Sequence, residues 1–210
     1  MDGVARRERL RRSRLYLVLD ARPHGRDPEP LLDAALRGGV DVVQLRDKDL
    51  ADDELVVAAE PFRIACERHG ALFVLNDRPD LVEACGADGV HVGHEDTPLA
   101  EAMELVGPGR IVGLSASTAA ELVGDPDYFG VGAIFGTPTK PESPPGGLDL
   151  VRAARDALRV PWFAIGGIEL DNIAEVVAAG APGVAVVRAI RDADDPEAAA
   201  RALRAALPDG

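Results

Sequence analysis

VVQLRDKDLADDELVVAAEPFRIACERHGALFVLND, residues 42–77, holds the two periodicities on which the fold rests. Residues 42–46 are a short β-branched run in which alternate side chains share a face. DDELVVAAEPFRIACERHG then has helical spacing, beginning at aspartates and ending at a glycine as helix caps do. A second apolar run follows at 72–76. A strand, a helix and another strand in that order imply a parallel pair.

The alternation spreads outward in both directions. Runs at 15–20, 42–46, 72–76, 89–93, 111–115, 128–135, 162–166 and 183–187 read as strands. PLLDAALRGG, LDLVRAARDAL, LDNIAEVVAAG and DPEAAARALRAAL read as further helices, the last closing the chain. Eight such units over 15–210 predict a single (β/α)8 TIM barrel, a closed eight-stranded parallel sheet. Barrels of this kind usually need about 250 residues, so the loops must be short. An open doubly wound sheet is the alternative. Against it, no GxGxxG follows the first strand, and polar residues gather after many strands rather than at one switch point. No Pro/Gly/Ser linker divides the chain into two cores. The long aperiodic stretch FGTPTKPESPPGG, 135–147, reads as functional near its start and disordered near Pro144 and Pro145.

Composition narrows the function. With 210 residues, 47% hydrophobic and 28% charged, the chain suits one globular domain. A net charge of −13 repels nucleic acid and anionic lipid. Arg6, Arg7, Arg9, Arg11, Arg12 and Arg14 make the first fourteen residues a basic exception. That segment, 1–14, reads as a solvated, partly disordered arm without a site of its own. Cys66 and Cys85 lack metal-ligand spacing and read as idle thiols. No apolar run approaches the roughly 18–20 residues of a membrane span, and the start lacks the apolar core of a signal peptide, so a cytoplasmic location is expected.

In a parallel barrel the chemistry sits at the carboxyl ends of the strands. After the second strand, alternation puts Gln44, Arg46 and, if extended, Lys48 on the lumen face, with Val43 and Leu45 on the other. An arginine fork beside a lysine suits a diphosphate; surface pairing with Asp47 and Asp49 is the plainer reading. Asn76 and Asp77 end the third strand, and Asp96 follows the fourth. Two carboxylates on neighbouring strand ends suit Mg²⁺ with positions left for phosphate oxygens, although aspartates also serve as turn and cap residues. Ser115 offers a hydroxyl without an adjacent base, and GTPTK offers Thr137, Thr139 and Lys140 to a phosphate. Gly166 and Gly167 permit close backbone approach to an anion, with Arg188 at the next strand end. Of the four histidines, His24 and His69 read as loop or helix-end residues, His91 as strand packing, and His94 is open.

Taken in order, QLRDK, NDRPD, ADGVHVGHED, LSAST, GTPTK, PPGGLDLV, IGGI and VVRAI resemble the motif series of the thiamine-phosphate synthase family. The resemblance implies a Mg²⁺-dependent transferase that joins hydroxymethylpyrimidine diphosphate to thiazole phosphate, releasing pyrophosphate. It assigns Gln44, Leu45, Arg46, Asp47, Lys48, Asn76, Ser115 and Lys140 to the pyrimidine diphosphate. Of these, Arg46, Lys48, Ser115 and Lys140 would be catalytic. It assigns Asp77 and Asp96 to one Mg²⁺, and Thr137, Pro138, Thr139, Gly167, Val187 and Arg188 to the thiazole phosphate. Phosphorylated small molecules are the implied partners, and a homo-oligomer is compatible with the sequence. Three positions depart from the common pattern: His94 for glutamine, Ser117 for histidine and Arg188 for serine. A thiazole tautomerase of similar fold uses that absent histidine and has no need of the diphosphate cations. A non-catalytic sensor of phosphorylated ligands is the other alternative.

Overall fold

The computed structural model describes residues 1–136 and 145–209. Eight parallel strands close in sequence order: β1 (Leu15–Leu19), β2 (Val42–Leu45), β3 (Leu72–Asn76), β4 (Gly89–Val92), β5 (Ile111–Ala116), β6 (Tyr128–Val131), β7 (Trp162–Ile165) and β8 (Val184–Val186). β8 pairs with β1, with Tyr16 opposite Ala185, so no strand edge is left open. The predicted closed barrel is therefore the observed one. β6 stops earlier than expected, because the chain beyond it folds over β7: Ile134 and Phe135 donate their N–H groups to the Ile165 and Gly166 carbonyls at 2.8 and 3.0 Å.

Helices surround the barrel: α1 (Gly3–Arg12), α2 (Glu29–Arg37), α3 (Asp52–His69), α4 (Leu99–Val106), α5 (Gly147–Ala157), α6 (Ile173–Ala178), α7 (Arg188–Arg191) and α8 (Pro196–Ala205). After β3 and β5 the helix is reduced to a single 3-10 turn, at Pro79–Leu81 and Ala119–Glu121. These abbreviations explain how the barrel closes in fewer residues than usual.

Period-two alternation sorts the strand residues. Leu17, Val43, Leu45, Phe73, Val90, Val112, Phe129 and Ala164 face the helices in one continuous core. Tyr16, Val18, Val42, Val74, Ile111, Tyr128, Phe163 and Ala185 fill the lumen in a second. Cys66 and Cys85 are buried free thiols whose pKa burial raises, that of Cys85 to about 11.

The arginine-rich start is where the sequence reading fails. It is not a solvated arm: α1 is capped by Asp2, whose carboxylate accepts the Ala5 N–H at 2.8 Å, and it docks beneath the barrel. Leu10, 1% exposed, joins the lumen cluster and plugs its amino-terminal end. Two of the arginines are held by aspartates at the strand starts. Asp41, Asp88 and Asp127 immediately precede β2, β4 and β6. Each accepts a backbone N–H at the preceding odd strand, from Leu15 at 3.0 Å, Phe73 at 3.0 Å and Val112 at 2.9 Å. Arg6 pairs with Asp88 at 2.7 Å and Arg7 with Asp127 at 2.6 Å. Arg6, a residue 8% exposed, also donates to the Gly109 carbonyl at 2.9 Å. Sequence spacing could not show this, since the partners lie 82 and 120 positions away.

Leu10→Ala is therefore expected to lower the unfolding free energy by about 2–5 kcal/mol, as for other buried leucines. Urea unfolding followed by circular dichroism measures it; an unchanged midpoint would mean that α1 does not seal the lumen.

Candidate active site

A cavity opens at the carboxyl end of the barrel, and its floor is aromatic. Tyr16, Tyr128 and Phe163 lie with centroids 5.3–6.0 Å apart, Phe163 edge-on to both tyrosines. Space for them comes from glycines: a Cβ on Gly113 would fall 2.1 Å from Cζ of Tyr128, and one on Gly130 would fall 3.1 Å from the His91 ring. The buried polar atoms here are linked. Gln44 Nε2 donates to Tyr16 Oη at 2.8 Å, Tyr16 Oη lies 3.0 Å from Tyr128 Oη, and Tyr128 Oη lies 3.2 Å from His91 Nδ1. His91 Nε2 is 2.9 Å from Ser115 Oγ. Burial pushes both phenols above their ordinary pKa, so they stay protonated.

Of the residues singled out in the sequence, Gln44, Arg46, Asn76, Ser115, Gly167, Val187 and Arg188 all line this one cavity. Two carboxylates and a lysine stand beside it. Asp77 adopts φ +60°, and its backbone N–H donates to the His91 carbonyl at 2.8 Å. Its carboxylate is 2.9 Å from Lys48 Nζ and within hydrogen-bonding reach of Asp96. Burial raises the Asp77 pKa first, and Asp96 adds to the rise while Lys48 opposes it. Asp96 is held in turn by the Gly93 N–H at 2.9 Å. Among the described residues no group of three or more His, Cys, Asp or Glu is arranged to hold a metal. Two adjacent carboxylates with no third ligand fit a hard cation that keeps waters or takes phosphate oxygens, the usual manner of Mg²⁺. Neighbouring Arg78 is occupied elsewhere, forking onto Asp52 at the start of α3 at 2.6 and 2.8 Å.

Across the mouth, Gly166 and Gly167 have φ +102° and +64°. A Cβ on Gly166 would sit 2.6 Å from Ala133, and one on Gly167 would sit 2.8 Å from Phe135, so both conformation and contact demand glycine. Asn172 steadies this turn, donating to the Gly167 carbonyl at 2.9 Å and accepting the Glu169 N–H at 2.9 Å. Arg188 opens α7 and pairs with Glu169 at 3.3 Å.

Residues 15–190 fit the family model for thiamine monophosphate synthase. The chain belongs to the thiamine monophosphate synthase family. It is 48% identical over 207 residues to the thiamine-phosphate synthase of Thermobifida fusca, covering 96% of this chain and 95% of that one. To the Saccharopolyspora erythraea thiamine-phosphate synthase it is 47% identical, covering 99% and 98%. The solved thiamine phosphate pyrophosphorylase from Pyrococcus furiosus superposes with a TM-score of 0.85 at 32% identity, covering 94% and 96%.

Leu45, Asp47 and Lys48 are not among the residues that line the cavity. Leu45 is 1% exposed in the strand–helix core, because it sits one position out of phase with Gln44. The Asp47 carboxylate accepts the Ala21 N–H at 3.3 Å and the Asp49 N–H at 3.3 Å. Thr137, Pro138, Thr139 and Lys140 lie outside the described residues. His24 and His69 pair with Asp192 and Asp33, both at 3.0 Å, and take no part in the cavity. The unusual His94 and Ser117 meet at one carboxylate: His94 Nε2 lies 3.7 Å from Glu121, which accepts the Ser117 N–H at 2.7 Å. The sequence reading missed Tyr16, His91, Tyr128 and Glu169, all of which line the cavity. For Tyr16, His91 and Tyr128 strand phase was the available signal, since each alternates with helix-facing neighbours, whereas Glu169 lies in the turn after β7.

Gly113→Ala is expected to destabilise the protein by about 1–3 kcal/mol, because its methyl group needs space that the Tyr128 ring occupies. A thermal melt identical to wild type would show that the ring is not confined there.

Proposed function

We propose that the chain is a thiamine-phosphate synthase, condensing 4-amino-2-methyl-5-(diphosphooxymethyl)pyrimidine with thiazole phosphate to give thiamine phosphate and pyrophosphate. What carries the reading is one cavity with two unlike ends. Arg46, Lys48 and the Asp77–Asp96 pair gather on one side of an aromatic floor, and the Gly166–Gly167 turn with Arg188 lies on the other.

In this reading the diphosphate lies against Arg46, Lys48, Ser115 and Lys140, with Asn76 beside it and the pyrimidine ring over Gln44. Asp77 and Asp96 would hold Mg²⁺, which when bound neutralises phosphate charge as pyrophosphate forms. Thr137, Pro138, Thr139, the Gly167 and Val187 backbone and Arg188 would hold the thiazole phosphate. The pyrimidine methylene C–O bond breaks with its electron pair leaving on pyrophosphate. The lone pair of the thiazole nitrogen then forms the new C–N bond. No proton is transferred, so no general base is required, and the residues serve to position substrates and stabilise the departing charge. The Arg188–Glu169 pair supports this use of Arg188, because a partly exposed pair at the rim leaves the guanidinium oriented toward the mouth at little cost. The reading places the enzyme in the cytoplasm with soluble phosphorylated substrates. Among the described residues no helix is long and apolar enough to cross a membrane.

Purified protein incubated with both substrates and Mg²⁺ is expected to release thiamine phosphate and pyrophosphate in equal amounts, and chelator should abolish both. Tight ligand binding with no product would instead point to a sensor. Within an active enzyme, Lys140→Ala should reduce turnover on the order of a hundredfold or more with folding intact, since it removes a cation from the leaving group. Asp77→Asn and Asp96→Asn should each raise the Mg²⁺ concentration for half-maximal rate; unchanged titrations in both would remove the metal assignment.

A further inference from the structure

We propose that Glu169 is a positioning residue that competes with the ligand's phosphate for Arg188, so that thiazole phosphate and thiamine phosphate are held reversibly and not trapped. The inference rests on the reading that Arg188 takes the thiazole phosphate. Arg46 and Arg188 bring cations to a cavity read as taking two anionic ligands, and one charge there stands against them. Glu169 is the one carboxylate among the described residues that line the cavity. Such a group repels both ligands unless another charge engages it. Its place is fixed by the turn: the Glu169 N–H donates to Asn172 Oδ1 at 2.9 Å, and Asn172 Nδ2 donates to the Gly167 carbonyl at 2.9 Å. The backbone of residue 169 is thereby tied to the glycine turn at that end of the cavity.

The pair that Glu169 makes is of the exchangeable kind. Arg188 reaches it through a single Nη2 contact of 3.3 Å, with side chains 39% and 47% exposed. Firmer pairs in this molecule are built differently. Arg6 meets Asp88 at 2.7 Å with a side chain only 10% exposed, and Arg78 forks onto Asp52 at 2.6 and 2.8 Å. A partly exposed pair with one long contact contributes little to stability and leaves the guanidinium's other N–H donors for a ligand. A phosphate, with more charge and several oxygens, draws the arginine fork away from one carboxylate oxygen. Glu169 then stays alongside as the competing partner. The phosphate passes through the reaction unaltered, so a group that acts on it acts alike on substrate, transition state and product. Glu169 therefore governs affinity and release and leaves the bond-making step alone.

Glu169→Gln keeps the size of the side chain and the backbone bond to Asn172 while removing the charge. It should lower KM for thiazole phosphate and the inhibition constant of thiamine phosphate by the same factor, about two- to fivefold, the range of a partly exposed ion pair. kcat should not rise, and inhibition by the dephosphorylated thiazole alcohol should stay as in wild type, a split that a merely structural role would not produce. Arg188→Ala alone should raise KM for thiazole phosphate on the order of tenfold. In that background the gain from Glu169→Gln should disappear. A gain of full size there would mean that Glu169 repels the phosphate directly, and the competition would be overturned. An unchanged KM in Glu169→Gln, or a gain shared by the alcohol, overturns it too. The underlying reading fails separately: if Arg188→Ala leaves KM for thiazole phosphate unchanged, Arg188 does not hold that phosphate. Calorimetric titration of thiamine phosphate into the wild type and both variants makes the same comparison without turnover, and equal affinity in wild type and Glu169→Gln sinks the proposal.

Discussion

The hydrogen bond between Tyr16 and Tyr128 across the lumen is the interaction on which the rest of this molecule depends. Closing eight strands leaves an interior that side chains must fill, and two phenols and Phe163 fill it at mid-height. Below them the lumen is filled by apolar side chains and stoppered by Leu10; above them it opens into the cavity. The phenols carry polar atoms into that buried layer. Burial of those atoms is tolerable only because Gln44 and His91 complete their hydrogen bonds. Gly113 and Gly130 follow from the same constraint, since bulk on one strand requires its absence on the next.

Charge is arranged along the same axis. At the amino-terminal end, Asp88 and Asp127 organise neighbouring strands through backbone N–H groups and receive Arg6 and Arg7 from α1. At the mouth, cations stand beside carboxylates: Lys48 against Asp77 and Arg188 against Glu169. A chain of net charge −13 can attract phosphorylated substrates only by such local concentration. The two ends differ in consequence. Arg6 is buried and committed to the fold, whereas Lys48 and Arg188 remain accessible and paired loosely enough to change partners.

Much of this was legible in the sequence. The period-two runs gave all eight strands, and the placement of Gln44, Arg46, Asn76, Ser115 and Arg188 at strand ends was enough to gather them at one mouth. Leu45 and Asp47 share the QLRDK motif but stand outside the cavity lining, Leu45 in the strand–helix core by strand phase and Asp47 on a loop hydrogen bond. His91 looked like packing because its neighbours in the strand are valines. Its hydrogen bonds run to Tyr128, 37 positions away, and to Ser115, 24 positions away.

The sequence by itself determined the strand–helix alternation, and with it the parallel barrel and the end at which function resides, because both periodicities are local properties of the backbone. It also determined the motif series that marks the family. Only the tertiary structure decided that the arginine-rich start is a docked plug and not a free arm, and that five side chains from five strands form one line of hydrogen bonds. Those outcomes depend on register and closure, which bring together residues that no local pattern relates.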